Sequence, residues 1–555
     1  MAPKTSIWLP GVLAIALASL ALTSAGCAHG GEPRSAPVAA IRVDQTPPSL
    51  RYTGLYDQVA EAGIFPRMKG FADAVPRADP DTILAAYRRE NPTSKAELVA
   101  FVEHWFVFPP DAVPENRDEN HLSLAEYIAA RWTRSLADSR SPPPHSSLLP
   151  MPGRYITSGG LWREQYYWNT YFLIIGLGDQ AADLKKEMID NIAFMIDRYG
   201  YAPTANRSYY LSRSQPPYFY EMVATLAPDD RASAYARYLP QLRKEHAYWM
   251  AGADRLKPGE AHRRVVRMPN GVVLNRYWDD RAAPRDEAAV RDRAIAARAT
   301  RPAPEVYRDI RAGAESGWDF TSRWFGDRRS METIQTTAII PIDLNSLLYG
   351  LEDAIAQGCA RQGDRSCAKA FRRRAETRRA AINTYLWNEK LGLFDDYDWR
   401  EHSKRGAVTA AALSPLAAGL ATADQAARTA LRVRSELLAP GGLLNTNLTT
   451  GEQWDAPNGF AAVQWIAVQG LRRYGQDELA RTIAAGWLTN VSQVYAREGR
   501  LAEKYDVVAM RPGGGGGYPL QSGQGWTASV TGALLRIYPE FSQLAEVKPG
   551  ALGSK

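Results

Sequence analysis

An acidic residue near the middle of the chain stands among tryptophans and an arginine. Asp319 follows Trp318 directly, and Arg323 and Trp324 come within the next few residues. Aromatic faces stack on the apolar face of a sugar ring and exclude water. Such surroundings disfavour the charged form of a carboxyl group, so its pKa rises and it can hold a proton near neutral pH. These residue types indicate a general acid facing a carbohydrate, although the motif alone also fits a helix cap or a surface loop.

Composition excludes several other classes of function. The chain has 555 residues and a formal net charge of +7, but its basic residues are spread through Ala/Arg-rich stretches. No basic cluster interleaved with aromatic residues stands out, so we expect no nucleic-acid partner. The seven histidines are scattered without an HExxH arrangement, and we expect neither a metal nor another cofactor. The expected partner is a small glycoside, and the sequence leaves the oligomeric state open.

The N-terminus has the features of an export signal. Lys4 is followed by an apolar stretch from Leu9 to Leu22 and then by small residues up to Cys27. The apolar stretch is short for a membrane span and ends as a cleaved signal does. We therefore predict an export signal over 1–27, a periplasmic location, and either a soluble mature protein or one lipid-anchored at Cys27. We further predict a disordered tether over 28–48, a single catalytic domain over 49–543 and a flexible tail over 544–555.

Two further cysteines, Cys359 and Cys367, lie in a polar stretch between two helical patterns. In an oxidising compartment they could form a local disulfide, and without a histidine beside them a metal site is disfavoured. The sequence leaves their pairing open.

Helical periodicity dominates the region that follows the tether. Apolar residues recur at helical spacing over 184–196, 371–387 and 479–494, whereas alternating strand patterns are scarce. Long loops rich in Trp, Tyr, Pro, Gly and Asn separate the helices, and long structured loops usually carry function. This organisation predicts an all-α toroid of helix pairs with a pocket at one end.

Six loop motifs carry the residues suited to sugar chemistry. They are Gly159–Tyr171, Asn206–Pro217, Asn275–Asp280 with Pro284–Glu287, the stretch around Asp319, Gln453–Phe460, and Glu503–Asp506 followed by Gly513–Gly517 and Tyr518–Gln521. In this order the motifs resemble the trehalases of glycoside hydrolase family 37. The resemblance extends over nearly the whole chain after the tether. It implies an (α/α)6 toroid, no metal, and hydrolysis of α,α-trehalose with inversion.

The resemblance assigns roles residue by residue. Asp319 matches the general acid and Glu503 the general base, and an inverting pair is separated by roughly 6.5–9.5 Å to admit a water. Without the resemblance, we interpret Glu503 as the partner of an ion pair with Lys504 or with a nearby arginine. The match to the family's motifs implies that the following residues bind substrate: Trp162, Tyr166, Trp168, Asn169, Arg213, Ser214, Gln215, Arg285, Glu287, Gly317 and Trp454. The glycine run resembles a lid over the site, and without the resemblance it reads as a solvated linker.

Departures from the family pattern cluster around the sugar whose bond is broken. Leu161 stands where the family has Arg, Asn169 where it has Asp, and Thr204 where it has Asn; Gly517 directly precedes Tyr518, and the family's intervening Glu is absent. Trp162, Phe460 and Ala462 replace Phe, Trp and Pro. Each lost hydrogen bond to a charged group is worth roughly 1.5–3 kcal/mol.

Three functions follow from these observations. The first is hydrolysis of trehalose. The second is cleavage of a different α-linked glycoside by a related enzyme, because the pocket for the cleaved sugar has changed. The third is sugar binding without catalysis, and the presence of both Asp319 and Glu503 argues against it.

Overall fold

The computed structural model describes residues 45–65, 68–109, 121–178, 181–522 and 525–550. The predicted export signal, Cys27 and most of the predicted tether lie outside these ranges. In the described part of the chain, no helix is long and apolar enough to cross a membrane.

The described residues form mainly helices, joined by loops that contain short strands. The helices, in chain order, are α1 Pro48–Arg51, α2 Leu55–Glu61, α3 Pro80–Glu90, α4 Lys95–Trp105, α5 Leu124–Arg134, α6 Tyr167–Ile174, α7 Ala182–Tyr199, α8 Phe219–Ala224, α9 Arg231–Arg237, α10 Leu239–Trp249, α11 Ala289–Arg298, α12 Ala303–Glu315, α13 Ile342–Arg361, α14 Arg365–Tyr385, α15 Ser414–Ala417, α16 Ala423–Glu436, α17 Ala461–Arg473, α18 Asp477–Glu498 and α19 Gly525–Ile537. The strands are β1 Val75–Pro76, β2 Phe106–Val107, β3 Leu136–Ala137, β4 Tyr155–Ile156, β5 Ala261–His262, β6 Val265–Arg267, β7 Val273–Asn275, β8 Ile339–Ile340, β9 Trp387–Asn388, β10 Leu393–Phe394, β11 Tyr397–Asp398, β12 Ser403–Lys404, β13 Leu438–Ala439, β14 Gly442–Leu443, β15 Asn458–Gly459, β16 Tyr505–Asp506 and β17 Arg511–Pro512.

Six helices close an inner ring. In order around the ring they are α6, α8, α13, α15, α17 and α19, each contacting the next, and α19 returns to α6. Outside them lie α7, α10, α14, α16, α18 and α5, which pack on the ring or on its connecting turns. This is the predicted all-α (α/α)6 toroid.

Amphipathic patterns account for the outer helices. In α18, Leu479, Ile483, Trp487, Val491 and Val494 are buried, as their helical spacing predicts. The residue directly before the helix also fixes several helix starts, because its hydroxyl accepts a hydrogen bond from a free backbone N–H group. Capping boxes of this kind begin α4, α5 and α16.

Antiparallel pairing of short strands brings distant loops together. β16 pairs with both β15 and β17, so that Gly459 lies opposite Tyr505 and Asp506 opposite Arg511. The loop that carries Trp454 is therefore joined to the loop that carries Glu503, and the chain next enters the glycine run.

The helical hairpin of α13 and α14 contains the two cysteines. Cys359 lies in α13 and Cys367 in α14, rather than in a loop, and a disulfide joins them with a Cα–Cα distance of 5.8 Å.

Two backbone hydrogen bonds join the described part of the C-terminal segment to the body of the protein. The carbonyl of Val547 accepts from the N–H of Leu124, and the N–H of Gly550 donates to the carbonyl of Ala496. The flexible tail over 544–555 stays a prediction.

Candidate active site

One cavity at the end of the toroid brings together residues from all six loop motifs. Three inner helices begin beside it: Trp168 lies at the start of α6, Phe460 directly precedes α17, and Trp526 is the second residue of α19. The lining residues are Met68, Trp162, Tyr166, Trp168, Asn169, Thr204, Tyr210, Arg213, Gln215, Arg285, Glu287, Ala314, Gly317, Asp319, Gln453, Trp454, Phe460, Glu503, Tyr518 and Trp526.

The structure places nearly all the predicted site residues in this wall. Asp319 and Glu503 line the cavity, and so do Trp162, Tyr166, Trp168, Asn169, Arg213, Gln215, Arg285, Glu287, Gly317 and Trp454. Ser214 is not in the lining. It is buried, and its hydroxyl donates to the backbone carbonyl of Ala202 at 2.6 Å, so it supports the wall from behind.

Asp319 lies in the loop after α12, where burial governs its protonation. Desolvation raises the pKa of this carboxyl group to about 7, although the nearby Arg285 guanidinium opposes the rise. Arg285 Nη1 lies 3.9 Å from Asp319 Oδ2, and 32% of the Asp319 side chain remains accessible. Asp319 can therefore hold a proton near neutrality and still reach a ligand in the cavity.

Asp455 fixes the loop that follows Asp319. Its carboxylate accepts hydrogen bonds from the hydroxyls of Thr321 and Ser322 at 2.7 and 2.8 Å, and from the Ser322 backbone at 2.8 Å. Next to Asp455, the N–H of Trp454 donates to the carbonyl of Phe320. The loop of the acid and the Gln453–Phe460 motif are thus held as one unit.

Glu503 is held by hydrogen bonds to both carboxylate oxygens. Its Oε1 accepts from Trp162 Nε1 at 3.3 Å and from the Tyr518 hydroxyl at 2.8 Å. Its Oε2 accepts from Lys504 Nζ at 3.0 Å. Lys504 also donates to Gln453 Oε1 at 2.9 Å, and Gln453 donates to the backbone carbonyl of Asp319. The two carboxyl-bearing loops are therefore linked through Lys504 and Gln453.

The buried arginines of the site are oriented by ion pairs. Arg213 pairs with Glu287 and, at 3.3 Å, with Asp279, whereas Arg285 Nη2 lies 2.7 Å from Asp292 Oδ1. These partners fix the guanidinium planes, so each can present its remaining N–H groups in a defined direction.

Aromatic rings form a rigid part of the wall. Trp454 stacks on Phe460 with ring centroids 3.8 Å apart and on Trp318 at 5.0 Å. Gly317 has a φ of +74°, and a Cβ atom there would lie 2.7 Å from the Trp168 ring. The close approach of backbone and ring therefore requires glycine.

The positions that depart from the family pattern carry uncharged residues in this chain. Their contacts in the structure are the following. The side chain of Leu161 does not line the cavity, while its backbone N–H donates to Gln521 Oε1 at 3.0 Å. Asn169 Nδ2 donates to Ser158 Oγ at 3.1 Å, and the Thr204 hydroxyl donates to the Ser214 carbonyl at 2.7 Å. A Cβ atom on Gly517 would lie 2.4 Å from Arg291 Nη1.

Some lining residues are not among the predicted site residues. Gln453 and Tyr518 lie within two of the six loop motifs, and the sequence signal for them is their place beside Trp454 and the glycine run. Met68 has no such signal, since it reaches the cavity from the segment between α2 and α3.

Among the described residues, no group of three or more His, Cys, Asp or Glu side chains could hold a metal ion.

Comparison with known proteins gives consistent similarities. A family model described as Trehalase matches residues 63–539. A periplasmic trehalase of Xanthomonas campestris pv. campestris (strain B100) is 49% identical over 525 residues, covering 94% of this chain and 92% of the relative. A periplasmic trehalase of Pseudomonas aeruginosa is 49% identical over 494 residues, covering 88% and 90%.

Solved structures share the fold. Neutral trehalase Nth1 from Saccharomyces cerevisiae is 26% identical, has a TM-score of 0.59, and matches over 71% of this chain and 76% of its own. A GH63 mannosylglycerate hydrolase from Thermus thermophilus has a TM-score of 0.50 at 15% identity, matching over 74% of this chain and 99% of its own. The latter similarity concerns the fold alone.

Proposed function

Because the chain belongs to the trehalase family, we propose that it hydrolyses α,α-trehalose to glucose, with Asp319 as general acid and Glu503 as general base. The observation that carries this proposal is the shared cavity: both carboxyl groups line it, and burial raises the pKa of Asp319 to about 7. The relatives are named periplasmic trehalases, in agreement with the expected periplasmic location.

In the proposed reaction, Asp319 donates its proton to the glycosidic oxygen as the bond to the anomeric carbon breaks. Glu503 takes a proton from a water molecule that attacks this carbon from the opposite face. The departing glucose carries the proton of Asp319, and the other glucose receives the hydroxyl group with inverted configuration. Arg285, 3.9 Å from Asp319, stabilises the carboxylate that remains.

The first prediction tests the two roles. Asp319→Asn removes the proton donor and Glu503→Gln removes the base, and general acid–base groups each contribute roughly 10²–10⁴-fold to rate. We expect turnover of trehalose to fall by that order in each variant, with an unchanged circular dichroism spectrum. Proton NMR of the wild-type reaction should show equal initial amounts of α- and β-glucose, because inversion changes one of the two halves. Near-normal turnover in either variant, or initial release of α-glucose alone, contradicts the assignment.

The second candidate function is cleavage of a different α-linked glycoside, and it predicts that trehalose itself is a poor substrate of the wild-type enzyme. Leu161 carries no charge and its side chain does not line the cavity, and the Asn169 amide donates to Ser158 rather than presenting a charge. Losing about 2.7 kcal/mol of transition-state binding would lower kcat/KM for trehalose by about 10²-fold relative to an ordinary trehalase. We expect Leu161→Arg with Asn169→Asp to raise kcat/KM on trehalose.

A panel of disaccharides and aryl α-glycosides, assayed with wild type and the double variant, makes the measurement. The single Leu161→Arg variant serves as the comparison for added charge alone. High efficiency of the wild-type enzyme on trehalose rejects the second candidate and leaves trehalose hydrolysis.

A further inference from the structure

The Glu503 carboxylate has an uneven set of hydrogen-bond donors. Oε1 accepts from Trp162 Nε1 and from the Tyr518 hydroxyl, whereas Oε2 accepts from Lys504 Nζ. A carboxylate offers about four lone-pair sites, two on each oxygen. Counting the donors among the described residues, Oε1 has both of its sites occupied and Oε2 keeps one free.

The two donors to Oε1 are fixed independently of Glu503. The rings of Trp162 and Tyr518 meet edge to face with centroids 5.2 Å apart, and Trp162 meets Tyr166 in the same manner at 5.8 Å. The backbone of Glu503 is fixed as well, since its carbonyl accepts from Trp526 Nε1 at 3.1 Å. With backbone and ring positions set, the two donors determine how the carboxylate is rotated.

We propose that Trp162 and Tyr518 are positioning residues that hold the Glu503 carboxylate through Oε1, so that Oε2 is the oxygen that receives the proton of the attacking water. The inference rests on the proposed role of Glu503 as general base. Trp162 stands where the resembled family has Phe, so its N–H is an added donor in this chain. Tyr518 directly follows the glycine run, so the placement of that segment and the orientation of the base are coupled.

Variants that remove the two donor groups test the proposal; Tyr518→Phe removes only the hydroxyl, whereas Trp162→Phe also replaces the indole by a smaller ring. Trp162→Phe and Tyr518→Phe keep an aromatic ring in the wall and delete the N–H or the O–H. Hydrogen bonds to charged groups contribute roughly 1.5–3 kcal/mol, so we expect kcat on trehalose to fall about 10–100-fold in each variant. For Tyr518→Phe we expect KM to change less than about threefold, since the whole six-membered ring is kept, and Trp162→Phe should lower kcat by a larger factor than it raises KM. Trp465→Phe and Tyr474→Phe delete equivalent groups outside the cavity lining, and should leave kcat unchanged.

A second substrate, α-glucosyl fluoride, distinguishes a defect in the general base from a defect in the general acid. Fluoride leaves α-glucosyl fluoride without needing protonation by Asp319, whereas attack of water still needs Glu503. We therefore expect Asp319→Asn to regain activity on the fluoride, and Trp162→Phe and Tyr518→Phe to lose activity on both substrates. Normal kcat in both positioning variants, a change confined to KM, or a loss on trehalose with normal hydrolysis of the fluoride would each overturn the proposal.

Glu503→Gln distinguishes this inference from the proposed function. If Glu503→Gln is active, the base itself is misassigned. If Glu503→Gln is inactive while Trp162→Phe and Tyr518→Phe turn over normally, the base stands and the positioning role fails. Circular dichroism and thermal unfolding of each variant exclude loss of fold as the cause of lost turnover.

Discussion

The protonation of Asp319 reflects two opposed influences on one carboxyl group. Burial raises its pKa to about 7, and the Arg285 guanidinium, 3.9 Å away, limits the rise. Arg285 is itself held by an ion pair with Asp292. This pair fixes the distance between the guanidinium group and the Asp319 carboxyl group. The acid therefore stays protonated through the acidic range and loses its proton near neutrality.

The third prediction is an alkaline limit on activity. A general acid works only in its protonated form, so kcat/KM should fall about tenfold per pH unit above an apparent pKa of about 7. The measurement is kcat/KM on trehalose from pH 5 to 9 at constant ionic strength. Recovery of activity on return to pH 6 is the control for irreversible unfolding. Full activity at pH 9 would contradict Asp319 as the acid.

Single residues of the site differ in how far the sequence could predict them. Asp319 and Glu503 lie in long motifs, so their identity could be read from order along the chain. The hydrogen bond from Trp162 to Glu503 could not, because it joins residues 341 positions apart. For Ser214 the sequence predicts a contact that the structure does not show. Its neighbours Arg213 and Gln215 line the cavity, but the Ser214 hydroxyl donates to the backbone carbonyl of Ala202.

Hydrogen bonds that involve a buried glutamate join three helices of the toroid, in addition to the packing of their apolar faces. Glu245 of α10 is fully buried and accepts a hydrogen bond from the hydroxyl of Tyr167 at the start of α6. The same hydroxyl accepts from the backbone N–H of Phe219, where α8 begins. Burial raises the pKa of Glu245 to about 8, against the lowering effect of Tyr167.

The fourth prediction follows from this raised pKa. An unfolded glutamate has a pKa of about 4.3, so between that value and about 8 the folded protein keeps a proton that the unfolded chain releases. The free energy of unfolding therefore falls as pH rises through this interval, by at most about 1.4 kcal/mol per pH unit. Glu245→Gln keeps the shape without titrating. Its stability relative to wild type should grow from pH 5 to pH 8.

Guanidinium denaturation at pH 5, 6, 7 and 8 measures this difference. Glu103→Gln, at an exposed position of α4, is the matched control and should show a nearly constant difference. A pH-independent difference between Glu245→Gln and wild type would mean that Glu245 does not titrate as described.

Outer and inner helices differ in how well the sequence predicts them. Outer helices such as α18 have one apolar face, so their spacing is visible in the sequence. Inner helices are buried on most sides and show no such face: in α8, five of six residues are buried. Their existence could be predicted only from the family resemblance.

Across the whole molecule, the segment before the toroid completes the wall of the cavity. The N–H of Ser49 donates to Asp286 Oδ2 at 2.9 Å, the Tyr56 hydroxyl donates to the Asp286 carbonyl, and Lys69 pairs with Glu164. Met68 of this segment lines the cavity. Residues of the segment that follows the predicted tether therefore contribute to the cavity wall. The single domain over 49–543 stays a prediction.

The fifth prediction concerns the mature N-terminus, which the sequence places at or near Cys27. We expect mass spectrometry of protein from the native host's envelope to find cleavage there. A diacylglyceryl group on Cys27 would identify a lipoprotein, and cleavage without lipid a soluble form. Cys27→Ser is the control, because it removes the thiol that accepts the lipid, so no diacylglyceryl group should be found on the variant. A chain retaining Met1 in the cytoplasm would contradict export.

Gly517 and its neighbour Arg291 restrict which changes this cavity can undergo next. Any side chain placed at that point meets Arg291, and Arg291 Nη2 lies 2.9 Å from both carboxylate oxygens of Glu452. A side chain at Gly517 must therefore be accommodated by a rotation of Arg291, which is paired with Glu452. Reinstating the missing glutamate is a different change, because it inserts a residue between Gly517 and Tyr518. The insertion lengthens the segment that presents the Tyr518 hydroxyl to Glu503 Oε1, so the glutamate cannot return without also displacing a hydrogen-bond donor to Glu503.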